Sequence, residues 1–186
     1  MESLLRRARQ GDREAYDALL GGLADRLLLY VEVRLGALRN RLDPWDVLQE
    51  TLLMAHRSFA GFQGDSLPAF RAWLFAIADH RLHDLADHHG AQKRHTPGGE
   101  VPLSGVVEQL RASRTGPATA AEREERRARL HEALQGLEEA EREAILLHHF
   151  HGLTQDQVAG RLGVSTKQVR GLLVRARYRL GSALEE

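Results

Sequence analysis

The chain has 186 residues, with 26 basic and 26 acidic side chains, no cysteine, and hydrophobic residues at 42%. The lack of cysteine excludes a disulfide framework and a thiolate zinc site. The N-terminal stretch MESLLRRARQGDREAYDALL offers no apolar run of signal-peptide or membrane-span length, so the sequence predicts a soluble, cytoplasmic protein of one medium or two small domains.

Leu4, Leu5 and Ala8, then Ala15, Leu19, Leu20, Leu23 and Leu27, recur at helical spacing. Gly11 and Asp12 divide them, and Asp12 suits an N-cap. A third helix starts in LDPWDVLQETLLMAHRSF, where Asp43 can cap, Pro44 fits the first helical position and Asp46 complements the positive helix start. Asp46, Gln49 and Glu50 then share one face. A loop, AGFQGDSLP (60–68), precedes a helix with Phe70, Trp73, Leu74, Ile77 and Leu85 on its inner stripe. Between His95 and Ala121 fall three of the five prolines and four glycines, the composition of a flexible linker with room for one helical turn near Val106 to Leu110.

Beyond the linker, Leu130, Leu134 and Leu137 mark one helix, and Ile145, Leu146 and Phe150 the next, with Gly152 as its stop. Thr154 with Gln157, and Ser165 with Gln168, form two capping boxes around a turn at Gly163, the pattern of a helix-turn-helix. From Gln157 to Leu184 there is no acid, while Arg161, Lys167, Arg170, Arg175, Arg177 and Arg179 are all basic. Acids crowd upstream instead, in LEEAERE (137–143), so the neutral total hides a domain with one positive end. At 100° per residue, Val169, Leu172, Leu173, Ala176 and Leu180 form the inner face of the last helix. Lys167, Gly171, Val174 and Tyr178 lie opposite, flanked by Arg170 and Arg177 on one side and by Gln168 and Arg175 on the other. Cations there can reach phosphates, Arg and Gln have donor geometry for guanine and adenine, and Gly171 permits close approach to a groove. The architecture predicted is all-α: two small helical domains, residues 1–95 and 122–186, joined by a linker at 96–121, the second domain a helix-turn-helix.

A helix-turn-helix usually draws on a second source of affinity, and the first domain offers one through a family resemblance. RARQGDREAYDALL, DVLQETLLMAHRSF and FRAWLFAIADHRLHDLADHHGAQKR together resemble the bacterial RNA polymerase sigma factors of the extracytoplasmic-function class, and the resemblance runs through nearly the whole chain. It implies a non-enzymatic initiation factor, without cofactor or metal, that recruits RNA polymerase core to promoter DNA. Asp46, Gln49 and Glu50 match the polymerase-docking helix, with Leu52 where an aromatic is frequent. Phe62, Gln63 and Asp65 lie in the loop that receives a flipped base of the minus-ten element. Trp73 and Leu74 match a Trp-Leu pair assigned to the core. Asp84 matches, but His80 replaces a common Asn and Asp87 a common Arg, which shifts strand contacts toward Arg81, Lys93 and Arg94. The second domain resembles the minus-thirty-five reader, which assigns duplex contacts to Ser165, Lys167, Gln168, Arg170, Gly171, Arg175 and Arg177. Gln168 stands in place of a frequent Thr and Leu172 of a frequent Arg. The linker also leaves room for an anti-sigma protein, a common partner in the family.

Two other functions compete. His80, His83, Asp84, Asp87, His88 and His89 have the side chains of a metal-dependent hydrolase, but they run along one helix, and HHFH (148–151) belongs to the other domain. A DNA-binding regulator that works without polymerase would use the same helix-turn-helix, yet leaves DVLQE and the Trp-Leu helix unexplained.

Overall fold

The computed structural model describes residues 1–90 and 117–185. Lys93 and Arg94, and the helical turn expected near Val106, lie outside the described residues. Every regular element among the described residues is helical, and the chain divides into two compact units.

The first unit holds α1 (Glu2–Arg9), α2 (Arg13–Leu35), a 3-10 turn (Gly36–Asn40), α3 (Pro44–Ser58), a second 3-10 turn (Phe59–Gly61) and α4 (Leu67–Gly90). Gly11, at φ +92°, turns the chain between α1 and α2. The Asp12 carboxylate then caps α2, accepting from the Ala15 N–H at 3.0 Å and from Arg7 Nε at 2.8 Å. These contacts, the Ala15 N–H foremost, hold its carboxyl below the ordinary carboxylate pKa. Asp43 caps α3 through the Trp45 N–H at 2.8 Å, with Pro44 at the first position.

The second helix continues to Leu35, well past the last apolar position its early periodicity marks, and from Leu27 to Val33 every residue is buried. It lies at the centre of the unit, with α1, α3 and α4 packed around it. Polar groups there are paired. The Tyr30 hydroxyl donates to Asp79 of α4 and accepts from Arg34 Nε at 3.0 Å, while Glu32 lies 3.6 Å from Arg39 of the 3-10 turn. Leu52, where the family often has an aromatic, is fully buried on α3.

The second unit holds α5 (Pro117–Gln135), α6 (Glu139–Ile145), a π-helical turn (Leu146–Phe150), α7 (Gln155–Leu162) and α8 (Thr166–Glu185). The first of these begins inside the stretch expected to be linker, with Pro117 at its head. It ends two residues before Leu137, which is buried in the following turn. The π-helical turn lets Leu146, Leu147 and Phe150 all reach the core, beside Leu134, Val158, Val169, Leu173 and Ala176. The widened turn closes by bonds from the His151 N–H to Leu146 O and from the Leu153 N–H to Leu147 O, both 3.1 Å.

Candidate nucleic-acid interface

The turn between α7 and α8 starts from local chemistry. Thr154 and Gln157 make a complete capping box, with bonds of 2.8 and 3.3 Å. Gly163 ends α7 in the left-handed region at φ +67°, and the Ser165 N–H then donates to Gln168 Oε1 at 2.8 Å while the Gln168 N–H donates to Ser165 Oγ at 3.3 Å. Two further bonds brace the pair: Thr166 Oγ1 to Asp156 Oδ1 at 2.7 Å and Arg170 Nε to Gln155 Oε1 at 3.1 Å. The angle between the two helices is therefore fixed by side chains from both.

The outer face of α8 follows the expected helical wheel. Lys167, Gln168, Arg170 and Arg177 are exposed, Gly171 is half-buried, and Val174 and Tyr178 stand out at 57% and 78% exposure. Gln168 differs from a side chain held ready for a base edge, because its carbonyl oxygen takes both the Ser165 N–H and the Ser165 hydroxyl. Only its NH2 group remains to donate. Arg177 Nε bonds Leu173 O at 3.2 Å, one turn back along its own helix.

Arg175 does more than flank this face. Its Nε donates to Glu141 Oε1 on α6 at 3.0 Å, and Glu141 is fully buried. Arg179 lies beside the same acid, 3.5 Å from Oε2, and donates to Glu138 at 2.8 Å. The sequence shows these acids as the negative end of a dipole, but not their contact with α8. The available signal was the spacing itself: Glu138 and Glu141 at i, i+3 match Arg175 and Arg179 at i, i+4 on another helix.

On the first unit, Asp46 and Glu50 are exposed on α3 and Gln49 is half-buried. Glu50, expected to face polymerase, and Arg81, expected to face DNA, form an ion pair with each other across α3 and α4. On α4 two i, i+4 pairs form: His80 Nδ1 with Asp84 at 3.1 Å and His83 Nε2 with Asp87 at 3.5 Å. The unusual Asp87 is thus accompanied by an imidazole. Among the described residues no three His, Asp or Glu side chains converge on a point that could hold a metal ion.

The loop after α3 departs from expectation at one residue. Gln63 and Asp65 are exposed, but Phe62 is only 9% exposed. Its ring packs with Trp73, Phe70 and Phe59 at centroid distances of 5.1, 5.6 and 6.1 Å. A side chain with that many aromatic neighbours is core, so Phe62 is corrected from a stacking surface to a support beneath the loop. Beside the loop lies a concavity of about 510 Å³ lined in part by Arg9, Arg13, Tyr16, His56, Phe59 and Gln63. The Tyr16 hydroxyl is buried without a hydrogen-bond partner among the described residues, and burial pushes its pKa up.

Comparison with known proteins agrees along the whole chain. Residues 127–180 match the family described as Sigma-70, region 4. The RNA polymerase sigma-H factor of Pseudomonas aeruginosa is 29% identical over 99% of this chain and 93% of its own length. The RNA polymerase sigma factor NccH of Alcaligenes xylosoxydans xylosoxydans is 31% identical over 99% of this chain and 94% of its own. Among solved structures, that of CnrH in complex with the cytosolic domain of CnrY matches with a TM-score of 0.50 at 25% identity, covering 99% of this chain and 96% of CnrH.

Proposed function

The chain belongs to the extracytoplasmic-function sigma factors of bacterial RNA polymerase, and we propose that it binds the polymerase core and directs initiation at promoters carrying a minus-ten and a minus-thirty-five element. The observation that carries this is the braced α7–α8 turn with its exposed basic face, in a chain that aligns end to end with RNA polymerase sigma factors. Such a face supplies phosphate contacts and a close approach at Gly171, but few groups for tight binding alone. Attachment to polymerase supplies the rest, since each DNA-reading unit then meets its site at high effective concentration.

In this proposal Asp46 and Gln49 dock on the polymerase, with the Glu50–Arg81 pair at the edge of that surface. Gln63, Asp65, His80 and Asp84 line the path of the melted minus-ten strand. Lys167, Arg170, Gly171, Arg175 and Arg177 meet the upstream duplex, with Ser165 and Gln168 shaping the start of the reading helix. The factor acts without catalysis, in the cytoplasm; no helix among the described residues is long and apolar enough to cross a membrane. A protein partner of the anti-sigma kind is included, supported by the complex of CnrH with the cytosolic domain of CnrY.

In vitro transcription with purified core and a genomic fragment library tests the proposal. Discrete start sites that need both core and this chain are expected. Tight operator binding by the chain alone, with no association with core, would overturn it.

A further inference from the structure

A carboxylate removed from water is retained only where something compensates it. Glu141 is fully buried on α6, and its compensation comes from two arginines one turn apart on α8. The compensation is uneven. Oε1 accepts a hydrogen bond from Arg175 Nε at 3.0 Å, whereas Oε2 has no hydrogen-bond partner among the described residues and meets Arg179 Nε only at 3.5 Å.

The geometry of Arg175 shows what the acid gains for the outer face. The guanidinium is held by its inner nitrogen, Nε, and its two Nη groups make no hydrogen bond among the described residues. Nη1 lies 3.4 Å from where a Cβ on Gly171 would stand. One planar group thus reaches from a buried carboxylate to the exposed strip that includes Gly171. A simple basic patch would be weakened by an acid beneath it, because the acid opposes attraction to phosphate. What the acid adds is orientation: a guanidinium fixed along one edge loses less freedom when its other edge bonds a phosphate.

We infer that Glu141 is a positioning residue for duplex recognition: it holds Arg175 so that the outer edge of the guanidinium, lying over Gly171, takes a backbone phosphate in one register. Arg179, shared between Glu141 and Glu138, fixes the rotation of α8 on α6 from the next turn. The inference rests on the sigma-factor function proposed above and names a residue that never touches DNA.

The sign of the effect separates positioning from mere folding. Glu141→Gln removes a negative charge below the basic face while keeping the side chain's shape, so affinity for random duplex should hold or rise, and affinity for the cognate site should fall. The experiment uses the full chain assembled with polymerase core. Its probes are a duplex that the wild-type holoenzyme selects from genomic fragments and a random duplex of equal length. The ratio of the two affinities is expected to drop about tenfold, the value of one charge-assisted hydrogen bond. Arg175→Lys keeps a cation beside Glu141 but loses the planar fork, and should lower the ratio similarly with the helical circular dichroism intact. An unchanged ratio in folded Glu141→Gln would overturn the inference. If that variant does not fold, an unchanged ratio in Arg175→Lys overturns it. A wild-type holoenzyme that selects no duplex overturns the sigma-factor function, and this inference with it.

Discussion

Gly64 has no room for a side chain. A Cβ there would stand 2.2 Å from Phe62 Cζ and 3.0 Å from the Ala69 methyl, and the Phe62 ring cannot swing aside because Phe59, Phe70 and Trp73 enclose it. Gly64→Ala is therefore expected to destabilise the first unit by about 1–3 kcal/mol, the range for overpacking a filled core. Phe62→Ala should cost about 3 kcal/mol or more, again in stability, and denaturant unfolding of both variants checks the pair. Tyr16→Phe has the opposite sign: it deletes a buried hydroxyl that lacks a partner among the described residues, so the melting temperature should hold or rise. Asp12 adds a dependence on acid. Its folded pKa lies below the ordinary carboxylate value, so its cap stabilises the fold above that value and is lost as pH falls through the folded pKa. The Ala15 amide should lose protection over that window in hydrogen exchange, and Asp12→Asn, whose acceptor does not titrate, should abolish the dependence. Phe62 was misplaced from sequence because its burial comes from aromatics on two other segments. Asp12 was legible because its partners lie within five residues.

Helix starts were legible for the same reason that Asp12 was. Asp43, Thr154 and Ser165 each satisfy backbone donors within their own first turn, so residue type and spacing suffice. Helix interiors were less so. The second helix is enclosed by three others, which leaves its later half without the one-sided apolar stripe that marks an end. The π-helical turn spans only five residues, too few for a widened period to show. Two elements support direct tests. Gly163→Ala places a methyl at φ +67° and should cost the α7–α8 unit about 1–2 kcal/mol, measured as a shift in its thermal transition. Breaking the Glu50–Arg81 bridge should cost only about 0.2–1 kcal/mol, since Glu50 lies exposed. If Glu50→Ala disrupts core association by more than its stability loss, measured by co-elution with core polymerase, the face of α3 is read directly by the partner.

Each unit has its own buried core, with Leu19, Leu28, Leu52 and Phe70 in the first and Leu134, Val158, Val169 and Ala176 in the second. Separate fragments, 1–95 and 122–186, should each give a helical circular dichroism spectrum and their own unfolding transition. The division showed in the sequence as a change of composition. The ion pairs did not: Glu50 and Arg81 are 31 residues apart and Glu141 and Arg175 are 34, and only the folded chain shows which charges meet. Those meetings alter what the bare charge count implies about time spent on the chromosome. Of the six cations after Gln157, Arg179 is taken up by Glu138 and Glu141, and the four proposed to meet phosphate are Lys167, Arg170, Arg177 and the outer edge of Arg175. Four displaced counterions correspond to a slope of about −3.6 for log affinity against log salt concentration. At cytoplasmic ionic strength the solitary factor would leave a nonspecific duplex quickly, so the genome would not act as a sink that withholds it from polymerase.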